Sequence, residues 1–100
     1  MKDRAVVRDG TLWYLEDVDG ELCRMRLMPT GVPGEYSLFA IWTREDAQRE
    51  GHATRILRHA IDELGDVRQV RSERVLGASR FFDYLRVEFP GVVFDVDERP

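Results

Sequence analysis

Gln48-Arg49-Glu50-Gly51-His52-Ala53 stands between the apolar run of residues 36–42 and an amphipathic stretch that closes at Leu64. Its spacing is Gln/Arg-x-x-Gly-x-Gly/Ala. In that spacing a strand ends, a turn of backbone N–H groups forms, and a helix starts behind it. Small residues at 51 and 53 let an anion approach the main chain closely. A helix N-terminus carries unpaired N–H groups and a partial positive charge, so it favours a diphosphate without a dedicated side chain.

A rival reading starts the helix earlier. Thr43-Arg44-Glu45-Asp46 has the Ser/Thr-x-x-Asp/Glu form of a helix start and would give one helix over 44–64. That helix would carry Gly51 in its interior, at a cost of about 1 kcal/mol relative to alanine. Ala53, Ile56, Leu57, Ala60, Ile61 and Leu64 form a continuous stripe at i, i+3, i+4, i+7, i+8 and i+11. Upstream only Ala47 is apolar. The pattern favours a start after Gly51.

The 100 residues suit one domain over 1–100. A composition 43% hydrophobic and 34% charged is that of a soluble globular protein. No apolar run approaches 18 residues and no basic-then-apolar segment opens the chain, so neither a membrane span nor a signal peptide is expected. Cys23 stands alone and no Cys/His cluster has metal-ligand spacing. A cytoplasmic, metal-free protein is the expectation.

The net charge of −4 argues against a nucleic-acid binder. Arg44, Arg49, Arg55, Arg58, His52 and His59 nevertheless crowd the turn and the helix behind it. Glu45, Asp46 and Glu50 are interleaved with them, which suits an ordinary solvated face equally well. On the other reading, Arg49 and Arg55 add attraction for phosphates.

Strands are expected over 5–8, 11–18, 21–28, 36–42, 67–72 and 92–96, with a second helix over 78–87. Asp9-Gly10 and Asp19-Gly20 are hairpin signals, and two prolines and two glycines mark 29–34 as a loop. The run over 36–42 suits a central strand covered on both faces. Ala78, Phe81, Phe82 and Leu85 fall at i, i+3, i+4 and i+7. The order β-β-β-β-α-β-α-β is an α+β layout with a mixed, mostly antiparallel sheet and two helices.

The turn motif resembles the acetyl-CoA-binding motif of the GCN5-related N-acetyltransferases (GNAT family). Residues 78–85 resemble that family's Ala-x-x-Leu/Phe-Tyr-x-x-Leu, and the element order over 11–96 matches its order. The resemblance implies a small acyl-CoA-dependent N-acyltransferase acting on an amine acceptor. Its alternative is a non-catalytic module of the same fold that binds CoA or a protein partner. It assigns CoA contacts to Ile41, Trp42 and Thr43 on the strand, to Gln48, Arg49, Glu50, Gly51, His52, Ala53 and Thr54 at the turn, and to Ser79 and Phe82 on the second helix.

Three departures matter. The family's helix pair between its first two strands is missing, since Asp9-Gly10 is the whole connection. An open acceptor side of that kind suits an amine on a protein or other macromolecule. Phe82 stands where the family often has a tyrosine that protonates the leaving thiolate, and Tyr84 points about 200° away around the helix. Val75 replaces an asparagine that often contacts the pantetheine arm.

Acyl transfer to an amine also needs a base or a water chain, because such amines are largely protonated near neutral pH. Glu35, Glu73, Glu16 and Asp17 are candidates, each more readily read as a surface carboxylate, and Tyr84 is a geometrically poor substitute for the acid. Cys23 could in principle accept an acyl group, although its strand position reads as core packing. Trp13, Phe39 and Trp42 read as core or cofactor-wall residues.

Overall fold

Two tight turns and a short loop lay down the first four strands side by side. In the computed structural model, which describes residues 5–48, 51–73 and 79–97, β1 (Val7–Asp9) turns at Gly10 into β2 (Leu12–Asp17). The Asp19 N–H donates to Asp17 Oδ1 at 2.8 Å in the turn that leads into β3 (Gly20–Pro29). Loop 30–34 then leads into β4 (Glu35–Thr43). These neighbours pair antiparallel.

The second half adds two parallel strands through helices. A single 3-10 turn, Glu45–Ala47, precedes α1 (His52–Leu64). β5 (Gln69–Glu73) follows, then α2 (Ser79–Glu88) and β6 (Val93–Asp97). The six strands form one mixed sheet in sequence order, with β4–β5 and β5–β6 parallel. The chain is therefore α+β, with two helices and a mixed sheet. α1 starts at His52, as the apolar stripe requires, and the long-helix alternative is excluded.

Gly34 fixes the spot where the loop meets the end of α1's return. Its φ is +80°, and a Cβ there would lie 3.0 Å from the Asp66 carbonyl oxygen. Its own carbonyl accepts the Arg68 and Gln69 N–H groups at 2.8 and 3.0 Å. These bonds, with the Tyr36 hydroxyl donating to Asp66 Oδ1 at 2.7 Å and the Val93 N–H donating to the Arg68 carbonyl at 2.8 Å, anchor the entry to β5. β5 begins at Gln69 rather than at Val67.

Both helices cover the same face. Trp13, Met25, Leu27, Leu38, Tyr36, Val70 and Phe94 stand on that face by register. α1 packs on β2, β3 and β4, and its buried Ile56, Leu57 and Ala60 fill the centre. α2 brings Phe82 and Leu85 down near Phe94. Each large side chain so buried stabilises the fold by about 1.5–3 kcal/mol before the cost of ordering it. Arg58 joins the helices by bonding Glu88 at 2.7 Å and lying over the Phe89 ring.

The opposite face carries no helix among the described residues. The expectation that residues 36–42 are covered on both sides is therefore wrong. Tyr36 and Leu38 are buried, while Phe39 and Trp42 are each 41% exposed. The run reads as nearly continuous because the outward Phe39 and Trp42 are also apolar.

Candidate functional site

Ala40 is where β4 changes course. Arg26 pairs with Phe39 and Arg24 with Trp42, so Ala40 and Ile41 together stand opposite Met25. Ala40 has φ +54°, and no other described non-glycine residue has a positive φ. This is a β-bulge with its first residue in the left-handed region, which bends the strand and sharpens its twist. The inward positions accordingly shift from Tyr36 and Leu38 to Ile41 and Thr43.

Beside the bulge, β4 loses β5. Their register runs through Glu35–Gln69, Tyr36–Val70 and Ser37–Arg71 and then stops, although β4 continues to Thr43 and β5 to Glu73. Among the described residues, the edge of β4 beyond Ser37 has no strand on its β5 side. It leaves a cleft with backbone donors and acceptors along one wall.

The chain leaves this cleft through a tethered turn. The Arg44 N–H donates to the Leu22 carbonyl at 2.8 Å, and the Gln48 amide reaches the Thr43 carbonyl at 3.4 Å. Gly51 follows with φ +80° and ψ 13°, and caps α1 without any side-chain bond. A Cβ at Gly51 would meet nothing within 4 Å, so the space before the helix is open. The Arg55 N–H bonds the Gly51 carbonyl at 3.0 Å, closing the first turn of α1, with the Ala53 and Thr54 N–H groups at the head of the helix. Arg49 and Glu50 lie outside the described residues.

The basic crowd resolves into separate jobs. Arg44 donates to Asp17 through Nη1 and Nη2, at 3.2 and 2.8 Å, and to Asp46 through Nε at 2.6 Å. The bonds to Asp17 and then Asp46 raise its pKa, so it is a structural cation rather than a spare one. Arg58 is taken up by Glu88 and Phe89. His59 sets its ring edge-on to Trp13, with centroids 6.0 Å apart. His52 and Arg55 stand at the head of α1, half-buried and exposed respectively.

Several assigned residues stand elsewhere. Phe82 is a correction: it is fully buried, with its ring against Phe81 and Phe94, and its side chain cannot touch a ligand. Glu35 is a second correction. It lies at the opposite end of β4 from the turn, about 25 Å along a strand of this length, and bonds Arg71 at 3.5 Å. Tyr84 is half exposed on α2, where its hydrogen bond to Glu88 raises its pKa.

Glu73 ends β5 at the cleft's end of the sheet, but its side chain lies outside the described residues, as do that of Ser79 and all of Val75 and Ala78. Trp42 projects from the bare face beneath Arg24, 5.4 Å from its ring centroid to the guanidinium carbon. Ile41 packs against the core, and Thr43 Oγ1 shares a 3.2 Å hydrogen bond with Cys23 Sγ. Burial raises the Cys23 thiol's pKa despite that bond and one to the Arg24 backbone. An inaccessible, protonated thiol cannot carry an acyl group. Trp13 is core.

Among the described residues there is no group of three or more His, Cys, Asp or Glu able to hold a metal ion, and no helix is long and apolar enough to cross a membrane. The bulge was the main feature missed. Its trace in the sequence was the shift of inward apolar residues from even to odd positions after Leu38.

No family model matches the chain. It is 39% identical over 66 residues to UPF0039 proteins of Mycobacterium bovis and of two Mycobacterium tuberculosis strains. That stretch is 63% of this chain and 42% of each relative, so the chain matches less than half of their length.

Proposed function

We propose that this chain binds an acyl-CoA and acts as an N-acyltransferase toward an amine acceptor. The observation that supports it is the conjunction at the C-terminal end of β4. β4 loses its pairing with β5 beyond Ser37 and bends at a bulge against β3, and the same strand then runs through an open glycine turn into a helix N-terminus. An extended amide-bearing arm fits the edge of β4 beyond Ser37, and a diphosphate fits the first turn of α1 at Ala53 and Thr54. Gly51 leaves open the space such a group would fill. The CoA thioester would supply the activated acyl group.

The chain's own part would be to hold that arm, to point β4 N–H groups at developing negative charge, and to leave the acceptor side open. Glu73, at the cleft's end of β5, replaces Glu35 as the candidate base. The buried Phe82 favours a second reading, in which the module holds CoA without turning it over.

Calorimetric titration with acetyl-CoA and with CoA tests binding. Gly51→Asn keeps a residue tolerant of the left-handed region while filling the open space, and Gly51→Val adds strain. Both are expected to lose at least tenfold in affinity, about 1.4 kcal/mol, with unchanged circular dichroism. Equal affinity in wild type and Gly51→Asn, or no binding by wild type, refutes the cofactor reading. Labelled acetyl-CoA incubated with small amines and with proteins then separates the enzyme from the binding module. Transfer to large acceptors is expected. Tight CoA binding with no transfer to anything selects the module.

A further inference from the structure

We propose that the bare face of the sheet is a docking surface for an acidic, apolar-bearing segment of a partner protein, centred on Arg26. This stands independently of the acyl-CoA reading. Register places Leu12, Arg26 and Phe39 in one row across β2, β3 and β4, and Tyr14, Arg24 and Trp42 in the next. Phe39 and Trp42 are each 41% exposed, so large rings stand uncovered beside the two arginines.

Arg26 is the unusual member. It is half-buried, its guanidinium donates to Thr11 Oγ1 at 2.6 Å, and it makes no salt bridge among the described residues. The neighbouring Arg24 bonds Glu21 at 3.0 Å. The pair and that glutamate leave the centre of an apolar surface with net positive charge. A guanidinium so placed gains most from a carboxylate that arrives with apolar neighbours able to exclude water.

Charge complementarity also chooses the occupant. A second copy docked centre to centre about a two-fold axis would set guanidinium against guanidinium, which is unfavourable for an isologous contact. A nucleic acid could stack on the rings, but by register the face sets Asp9, Glu16, Glu21, Glu35 and Asp95 against Arg24, Arg26 and Arg71, a balance that opposes a continuous phosphate backbone. Isolated carboxylates among apolar side chains meet neither objection.

Fluorescence anisotropy tests this with a labelled glutamate–leucine peptide that sets one glutamate among leucines and serines, its lysine–leucine counterpart and an oligothymidine. The glutamate–leucine peptide is expected to bind and to lose at least tenfold in affinity on Arg26→Gln and on Phe39→Ser. Arg26→Lys should restore part of it, because the charge returns without the planar fork. Circular dichroism of each variant shows whether the fold persists, and the exposed Phe39 makes that variant safe for folding. Binding of the lysine–leucine peptide as tightly, stronger binding of oligothymidine, no peptide binding at all, or a sedimentation dimer abolished by Arg26→Gln would each overturn the proposal.

Discussion

Cys23 Sγ and Thr43 Oγ1 lie 3.2 Å apart, so the end of β4 is pinned to β3 just beyond the bulge that bends it. This contact explains why the cleft between β4 and β5 opens on one side only. β4 swings from β5 but stays fastened to β3 through Cys23–Thr43 and Arg24–Trp42 pairing. Burial also holds the thiol protonated. In the native protein, Cys23 is expected to resist a thiol-reactive dye at neutral pH and to react fully in denaturant. Rapid stoichiometric labelling of the folded protein would show that the β3–β4 seam opens.

Arg44 ties three segments together: the β2–β3 turn through Asp17, the 3-10 turn through Asp46, and β3 through its backbone bond to Leu22. Arg44→Gln is expected to lower the melting temperature more than Arg71→Gln, whose bonds to Glu35 and Asp95 are longer, at 3.5 and 3.6 Å, and more exposed. Arg44→Lys should recover little, since an ammonium cannot reproduce the two-pronged contact with Asp17. Thermal melts of the three variants at low and high salt decide it.

Much of the fold was legible because burial leaves a period. The stripe from Ala53 to Leu64 located α1, and Asp-Gly pairs located the hairpins. The coverage of β4 was not legible, because Phe39 and Trp42 are apolar yet face outward, and side-chain type does not reveal which face lacks a helix. At the site, the turn at Gly51 and the helix start behind it were readable from the spacing and the apolar stripe. The roles of Glu35, Phe82 and Arg44 were not. They depend on which end of a strand, which side of a helix, or which carboxylate lies near, and the chain order does not carry that information.

Phe82→Tyr puts a hydroxyl into the packing of Phe81, Leu85 and Phe94. A hydroxyl left unsatisfied in that packing costs about 1–3 kcal/mol. Chemical denaturation should show that loss, with no gain in any acyl-transfer rate. A faster or equally stable Phe82→Tyr protein would mean that position 82 faces the cleft.

The Tyr36 hydroxyl donates to Asp66, and that bond, helped by burial and by the carboxylate's charge, raises the tyrosine's pKa. The folded state thus holds this proton more tightly than the unfolded chain does. Its contribution is complete below the unfolded tyrosine pKa of about 10 and is lost as pH rises through the higher folded value. Tyr36→Phe should cost about 1 kcal/mol at neutral pH and should flatten the fall in stability above about pH 10. Urea titrations of both proteins at neutral and alkaline pH check the two effects together.

Ala40 gives the most direct handle on the cleft. An alanine at φ +54° carries strain that glycine would not, although glycine also loosens the unfolded chain. Ala40→Gly should therefore be neutral or slightly stabilising, and the bulge should persist. Ala40→Val places a β-branched side chain in the left-handed region, at about 1–2 kcal/mol, and favours regular pairing of β4 with β3. Straightening would realign β4 beyond Ser37 with β5 and close the cleft. Amide exchange reads this locally: protection of residues 38–43 should rise in Ala40→Val relative to its global stability and stay unchanged in Ala40→Gly. If CoA binds as proposed, its affinity should fall in the valine variant alone. Unchanged protection in Ala40→Val would show that the parting of β4 from β5 does not depend on the bulge.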